Sequence, residues 1–141
     1  MVRYRLTKDM ASSAENHYQE IKGLAVCVND VIYMPSLDAP ADKPHPFVYF
    51  ITIINESSER ISITGRKWLV KDEECGVTVV EGDGVVGETP LLEPGEDFSY
   101  NSYHIAAGDA VASGSFFGET ATGVKVRVRI PDFNLEVPNW A

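Results

Sequence analysis

Cysteine, histidine and positive charge are all scarce in this chain. Of its 141 residues only two are cysteine, Cys27 and Cys75, and they form no CxxC pair. Two cysteines cannot build a disulfide framework, so two reduced thiols are expected. The three histidines, His17, His45 and His104, are far apart and form neither HxH nor HxxxH. Each reads as a surface or loop residue, and no thiol–imidazole pair is marked by spacing. GxSxG and Walker sequences are missing as well. Twelve lysines and arginines face 21 acidic residues, for a net charge of −9 and a pI near 4.7. Such a surface repels phosphate backbones and anionic headgroups, so neither nucleic acid nor membrane is expected as a partner. It suits cationic partners or metal ions. The start, Met1-Val2-Arg3-Tyr4-Arg5, is basic but no apolar run follows. No secretory leader or membrane span is expected, and cytoplasm is the expected compartment.

What the chain does have is alternation. From Gly123 to Pro131 every second residue is β-branched (Val124, Val126, Val128, Ile130), and Lys125, Arg127 and Arg129 lie between them. A strand sends successive side chains to opposite faces, so this stretch has one dry and one wet face. In a second strand, residues 47–55, Phe47, Tyr49, Ile51 and Ile53 share one face, and Val48, Phe50, Thr52 and Ile54 share the other. With both faces partly apolar, this strand is central or its second face is covered. In residues 60–71, Ile61 and Ile63 have one parity and Trp68 and Val70 the other, with Gly65 between. A bulge at Gly65 would shift the phase and put all four on the core side. Further strands are expected at 24–34, 76–81, 97–104 and 111–118.

Turn chemistry separates these segments. Asn55-Glu56-Ser57-Ser58 and Asp72-Glu73-Glu74-Cys75-Gly76 suit hairpins, and Pro94-Gly95 suits the centre of a type II turn. Seven or so short strands in one domain give an all-β, two-sheet antiparallel β-sandwich. One short N-terminal helix is admitted by Ser12-Ser13-Ala14-Glu15, a capping-box pattern, with Ala14, Tyr18 and Ile21 on one face and Gly23 at its end. Residues 1–20 read as an arm and 21–138 as the domain.

Few constellations carry chemistry. Gly82-Asp83-Gly84-Val85-Val86-Gly87 matches GxGxxG, which in a dinucleotide-binding unit lets backbone approach a pyrophosphate. Here no βαβ pattern surrounds it, and Glu81, Asp83 and Glu88 put negative charge where phosphate would sit. The competing account is glycine needed for positive φ and a tight strand crossing. Acidic residues crowd residues 72–97, but no ordered ligand ladder is present, so no metal site is assigned. Arg66 and Trp68 are two apart and share a strand face. Arg66 is then either an anion-binding ledge or the partner of a nearby carboxylate, and Trp68 a buried sandwich tryptophan. Lys125, Arg127 and Arg129 form a local basic stripe.

Phe47-Val48-Tyr49-Phe50-Ile51-Thr52-Ile53 with Asn55, Arg66-Lys67-Trp68-Leu69, and the block from Glu81 to Glu96 together resemble the ApaG family. Gly114-Ser115-Phe116 and residues 130–135 fit as well, so the likeness runs from about Ile21 to Pro138. It implies an immunoglobulin- or fibronectin-III-like sandwich. The family includes small bacterial proteins linked genetically to cobalt resistance and magnesium efflux, and domains of F-box and polymerase-interacting proteins that look like binding modules. No enzymatic activity is established for it. The chain departs from the pattern in its longer N-terminal extension and in Val48, Phe50 and Ile54, where smaller or more polar residues are expected. The extension could cover that face. The expected function is a non-catalytic binding module without a cofactor. It would offer a protein partner or small ligand the face of Val48, Phe50 and Ile54 and the loop of Gly82, Gly84 and Gly87 beside Arg66. A self-complementary face would also allow a homodimer. The alternative is a sensor of magnesium, cobalt or a nucleotide.

Overall fold

The computed structural model describes residues 2–4 and 17–141. Among them the chain forms strands and no helix, hence none long and apolar enough to cross a membrane. The strands are β1 (Val2–Tyr4), β2 (Leu24–Tyr33), β3 (His45–Asn55), β4 (Ile61–Asp72), β5 (Gly76–Asp83), β6 (Leu91–Leu92), β7 (Asp97–Ala106), β8 (Ala110–Thr120) and β9 (Lys125–Leu135). They make two antiparallel sheets. The larger has the order β1-β5-β4-β8-β9, with β6 on the end of β4; the smaller has the order β2-β3-β7.

The core between the sheets follows the alternation. Val126, Val128 and Ile130 are buried while Lys125 and Arg129 are exposed. Phe47, Tyr49, Ile51 and Ile53 are buried from the central strand of the smaller sheet. The expected bulge in β4 is present: its pairing with β8 shifts between Ile63 and Gly65. Ile61, Ile63, Trp68 and Val70 are therefore all buried despite opposite parity. Each such aliphatic side chain contributes about 1.5–3 kcal/mol through removal from water.

Two expectations need correcting. Residues 55–58 are no hairpin, because β3 and β4 belong to different sheets. Asn55 shapes the crossover: its fully buried Nδ2 donates to the carbonyls of Glu59 (2.8 Å) and Leu92 (2.9 Å), and its Oδ1 accepts from Ser57 N (3.0 Å) and Oγ (2.6 Å). Those partners form an arch that turns the chain out of one sheet into the other. The expected helix falls partly on residues 12–16, outside the described residues. Its remainder, residues 17–23, is turn and β-bridge. Gln19 N donates to Lys125 O (3.0 Å), Gln19 O accepts from Arg127 N (2.9 Å), and Gly23 turns into β2 with φ +96°. Backbone pairing with the free edge of β9 satisfies these groups better than a single helical turn would. This segment borders the larger sheet, where Tyr18 packs edge-on against Phe117 at 4.8 Å.

The Asp72–Gly76 connection is the expected hairpin. Pro94-Gly95 is the expected turn, with Glu96 N donating to Glu93 O (3.0 Å) and Gly95 at φ +90°.

Candidate functional site

A difference in strand number creates the site. The three-stranded sheet cannot cover the inner face of the broader one. Beyond β7, the inner side of β5 and the Arg66 end of β4 are left without a facing strand. A cavity of about 590 Å³ opens there. Its floor carries Arg66, Trp68, Thr78 and Val80, and its opposite wall carries Tyr49, Tyr100 and His104. The β2–β3 loop closes one end, where Lys43 Nζ donates to Thr78 Oγ1 (3.0 Å) and the Tyr103 hydroxyl donates to Asp38 O (3.2 Å).

Arg66 and Trp68 do share a face, as their spacing requires. Trp68 is the buried sandwich tryptophan, with His104 at 4.6 Å and Tyr49 at 4.9 Å between ring centroids. Arg66 Nη1 donates to the carbonyls of Asp83 (2.8 Å) and Gly84 (2.9 Å). No carboxylate of the described residues forms a salt bridge with it. Its guanidinium is therefore positioned by neutral carbonyls and its charge is not cancelled.

The glycines of residues 82–87 act on this arginine and on their own turn. A Cβ on Gly82 would lie 2.8 Å from Arg66 Nη2, and one on Gly84 would strike the Glu88 carbonyl. Val85 N donates to Glu88 O (2.7 Å) and Glu88 N to Val85 O (3.0 Å), with Val86 at φ +49° and Gly87 at φ +80°. Positive φ at both central residues is the geometry of a type I′ turn. Val86, half exposed, stands at the cavity mouth.

His104 corrects the sequence reading. It is 8% exposed, faces inward from β7, and stacks on Tyr49 at 4.6 Å. Burial pushes its pKa down to about 3, so the ring is neutral at physiological pH. Its Nε2 and the Trp68 Nε1 are buried without hydrogen-bond partners. Burial raises the Tyr49 and Tyr100 hydroxyls; Ser102, Arg66 and Tyr100 partly offset this for Tyr49, and only Arg66 does so for Tyr100. The Tyr100 hydroxyl lies in the field of Tyr49 but forms no well-aligned hydrogen bond. Orphaned buried polar groups cost about 1–3 kcal/mol each. Three of them belong to aromatic residues that line one cavity, beside an uncancelled cation. The His104 signal was present in the sequence as the inward parity of β7, masked because that row is polar.

The other candidate residues lie apart from this cavity. Val48, Phe50 and Ile54 are half-buried on the outer side of the smaller sheet, with Ile32 and Tyr103 flanking Val48. Cys27 pairs with outward-facing Thr52, on the opposite side of that sheet from His104. Both cysteines are exposed. The basic stripe is partly matched, by Tyr18 under Lys125 (5.6 Å), Glu20 near Arg127 (3.8 Å) and Asp132 near Arg129 (3.8 Å). Among the described residues no group of three His, Cys, Asp or Glu side chains could hold a metal ion.

Comparison with known proteins places this geometry in a family. The profile of the ApaG domain matches residues 35–119. Protein ApaG of Methylorubrum populi is 33% identical over 121 residues, covering 85% of this chain and 92% of the relative. Protein ApaG of Parvibaculum lavamentivorans is 37% identical over 108 residues, covering 76% and 83%. Among solved structures, the putative ApaA protein of Bordetella pertussis superposes with a TM-score of 0.73 at 31% identity, covering 86% of this chain and 98% of that one.

Proposed function

This chain belongs to the ApaG domain family, and from that premise we propose that it is a non-catalytic binding module whose ligand enters the cavity between the sheets. One observation carries the reading. Trp68 and His104, whose ring nitrogens Nε1 and Nε2 are buried and unpartnered, line a space that also holds the uncancelled charge of Arg66. A cation set among aromatic side chains suits an anionic group attached to a flat or apolar body. The reading as a binder rather than a catalyst rests on what surrounds His104. Neither cysteine shares its face, and its low pKa makes it a poor proton acceptor.

The test is calorimetry with matched pairs, benzoate against benzamide and phenyl phosphate against phenol. Heat from the anions alone, lost in Arg66→Met, supports the reading. Equal responses to charged and neutral members would remove it.

The outer face of the smaller sheet supports a second reading. Ile32 and Tyr103 are 38% and 40% exposed on either side of Val48, giving an apolar row suited to a protein partner or a second copy. Light scattering tests it: Phe50→Glu should lower the mass of any oligomer, and an unchanged state and stability would exclude this face. The divalent-cation alternative rests on the density of carboxylates and on the family's genetic link to cobalt resistance and magnesium efflux.

A further inference from the structure

Among the described residues four strands form the edges of the two sheets, β1 and β9 in the larger and β2 and β7 in the smaller, and β7 is the one without a guard. β1 is only three residues long, a short edge that covers β5 at residues 79–81. The edge of β9 is occupied by Gln19 and interrupted by Pro131. β2 carries a bulge between Val28 and Asp30, where Val31 N is taken by the Asp30 side chain. β7 has no proline, lysine, glycine or bulge, and pairs with β3 in ten consecutive positions. Natural proteins blunt exposed edges with such devices because a bare edge recruits another strand. Leaving β7 bare beside the cavity is the exception.

The phase of β7 follows from its start. Asn55 N donates to Glu96 O, so the odd residues of β3 bond to the even residues of β7. The backbone groups of Ser99, Asn101 and Tyr103 then point away from β3. Among the described residues no backbone or side-chain group pairs with them. The even residues Tyr100, Ser102 and His104 direct their side chains to the cavity wall.

We propose that an extended peptide segment of a partner protein adds to the β7 edge as a fourth strand and places an acidic side chain beside Arg66. Strand addition would satisfy the outward amides and carbonyls of β7 and extend the small sheet over the uncovered inner side of β5 and the Arg66 end of β4. Alternate side chains of the added strand would then enter the cavity. Arg66 and Lys43 line it against the single carboxylate of Asp38, so an acidic residue suits the inward row better than a basic one. The proposal rests on the cavity reading and names its occupant.

The test uses the full chain and a synthetic heptapeptide library with glutamate fixed at the centre, threonine at alternate positions and the rest varied. The strongest binder is remade with single N-methyl groups along its backbone. Strand addition predicts losses of on the order of tenfold or more at every second position and little effect between. Replacing the central glutamate by glutamine should weaken binding on the order of tenfold, and Arg66→Met should abolish that preference. Asn101→Pro, which removes an outward N–H that β3 does not use, should block binding. The N-methyl series reads the same feature without altering the protein. Methylation effects without the two-residue period overturn strand addition. So does a library yielding no binder while benzoate still registers by calorimetry, and in that case the cavity reading stands. A wild-type dimer made monomeric by Asn101→Pro would mean that a second copy holds the edge, which also overturns the proposal.

Discussion

Arg66 lies flat against Gly82, so closely that a Cβ there would sit 2.8 Å from Nη2. The glycine-rich segment thus reserves space for an arginine of its own chain. In Gly82→Ala the guanidinium must move, because the side chain is the softer partner. Stability should change by less than about 1 kcal/mol. Affinity for benzoate should fall about tenfold, as expected when one charge-assisted contact is misplaced. Unchanged affinity, read by calorimetry, would show that this arginine position is not needed.

Val86 carries backbone strain. A β-branched residue at φ +49° is disfavoured, whereas asparagine or glycine adopts that region readily. Val86→Asn should stabilise the protein by about 1 kcal/mol in urea denaturation. A loss of stability would mean that the Val86 side chain, at the cavity mouth, packs well enough to outweigh the strain.

His104 should make stability depend on pH. Its folded pKa of about 3 lies below the ordinary 6.5. The unfolded chain therefore binds a proton between these values while the native protein does not. Stability is complete above pH 6.5 and falls as pH drops towards 3, by at most about 1.4 kcal/mol per unit. Asp72 adds a loss of the same sign at lower pH. Burial alone would raise its pKa, but backbone N–H groups of Glu74, Ala107, Cys75 and Gly108 lower it below 3.8. His104→Phe, which preserves stacking on Tyr49, should flatten the slope between pH 6 and 4. Parallel curves for the two proteins would contradict the buried neutral imidazole.

Asn55 should be costly to replace. Its four hydrogen bonds join the crossover to β6, so Asn55→Ala should destabilise by roughly 2–4 kcal/mol. A loss below about 1 kcal/mol in thermal unfolding would show that water substitutes for the amide.

Local pattern made much of the fold legible. The valines of β9, the apolar row of β3 and the phase shift in β4 each follow from side-chain period within one strand. The placement of Arg66 beside Trp68 follows from the same rule. The crossover after β3 was not legible, since Asn55 and its neighbours have hairpin composition and the choice of sheet depends on partners far along the chain. β7 hid its inward row because Tyr100, Ser102 and His104 are polar or amphipathic. The cavity was invisible for a deeper reason: it arises from the unequal width of two sheets, which no single segment encodes.

The most direct measurement uses Trp68 as its own reporter. The chain has two tryptophans, and Trp140 is 75% exposed and packs edge-on against Tyr33, so Trp140→Phe isolates the emission of Trp68. Benzoate should shift or quench that emission saturably, benzamide should not, and Arg66→Met should abolish the response. Emission that ignores millimolar benzoate, or responds equally to benzamide, would contradict a cavity built to receive an anion.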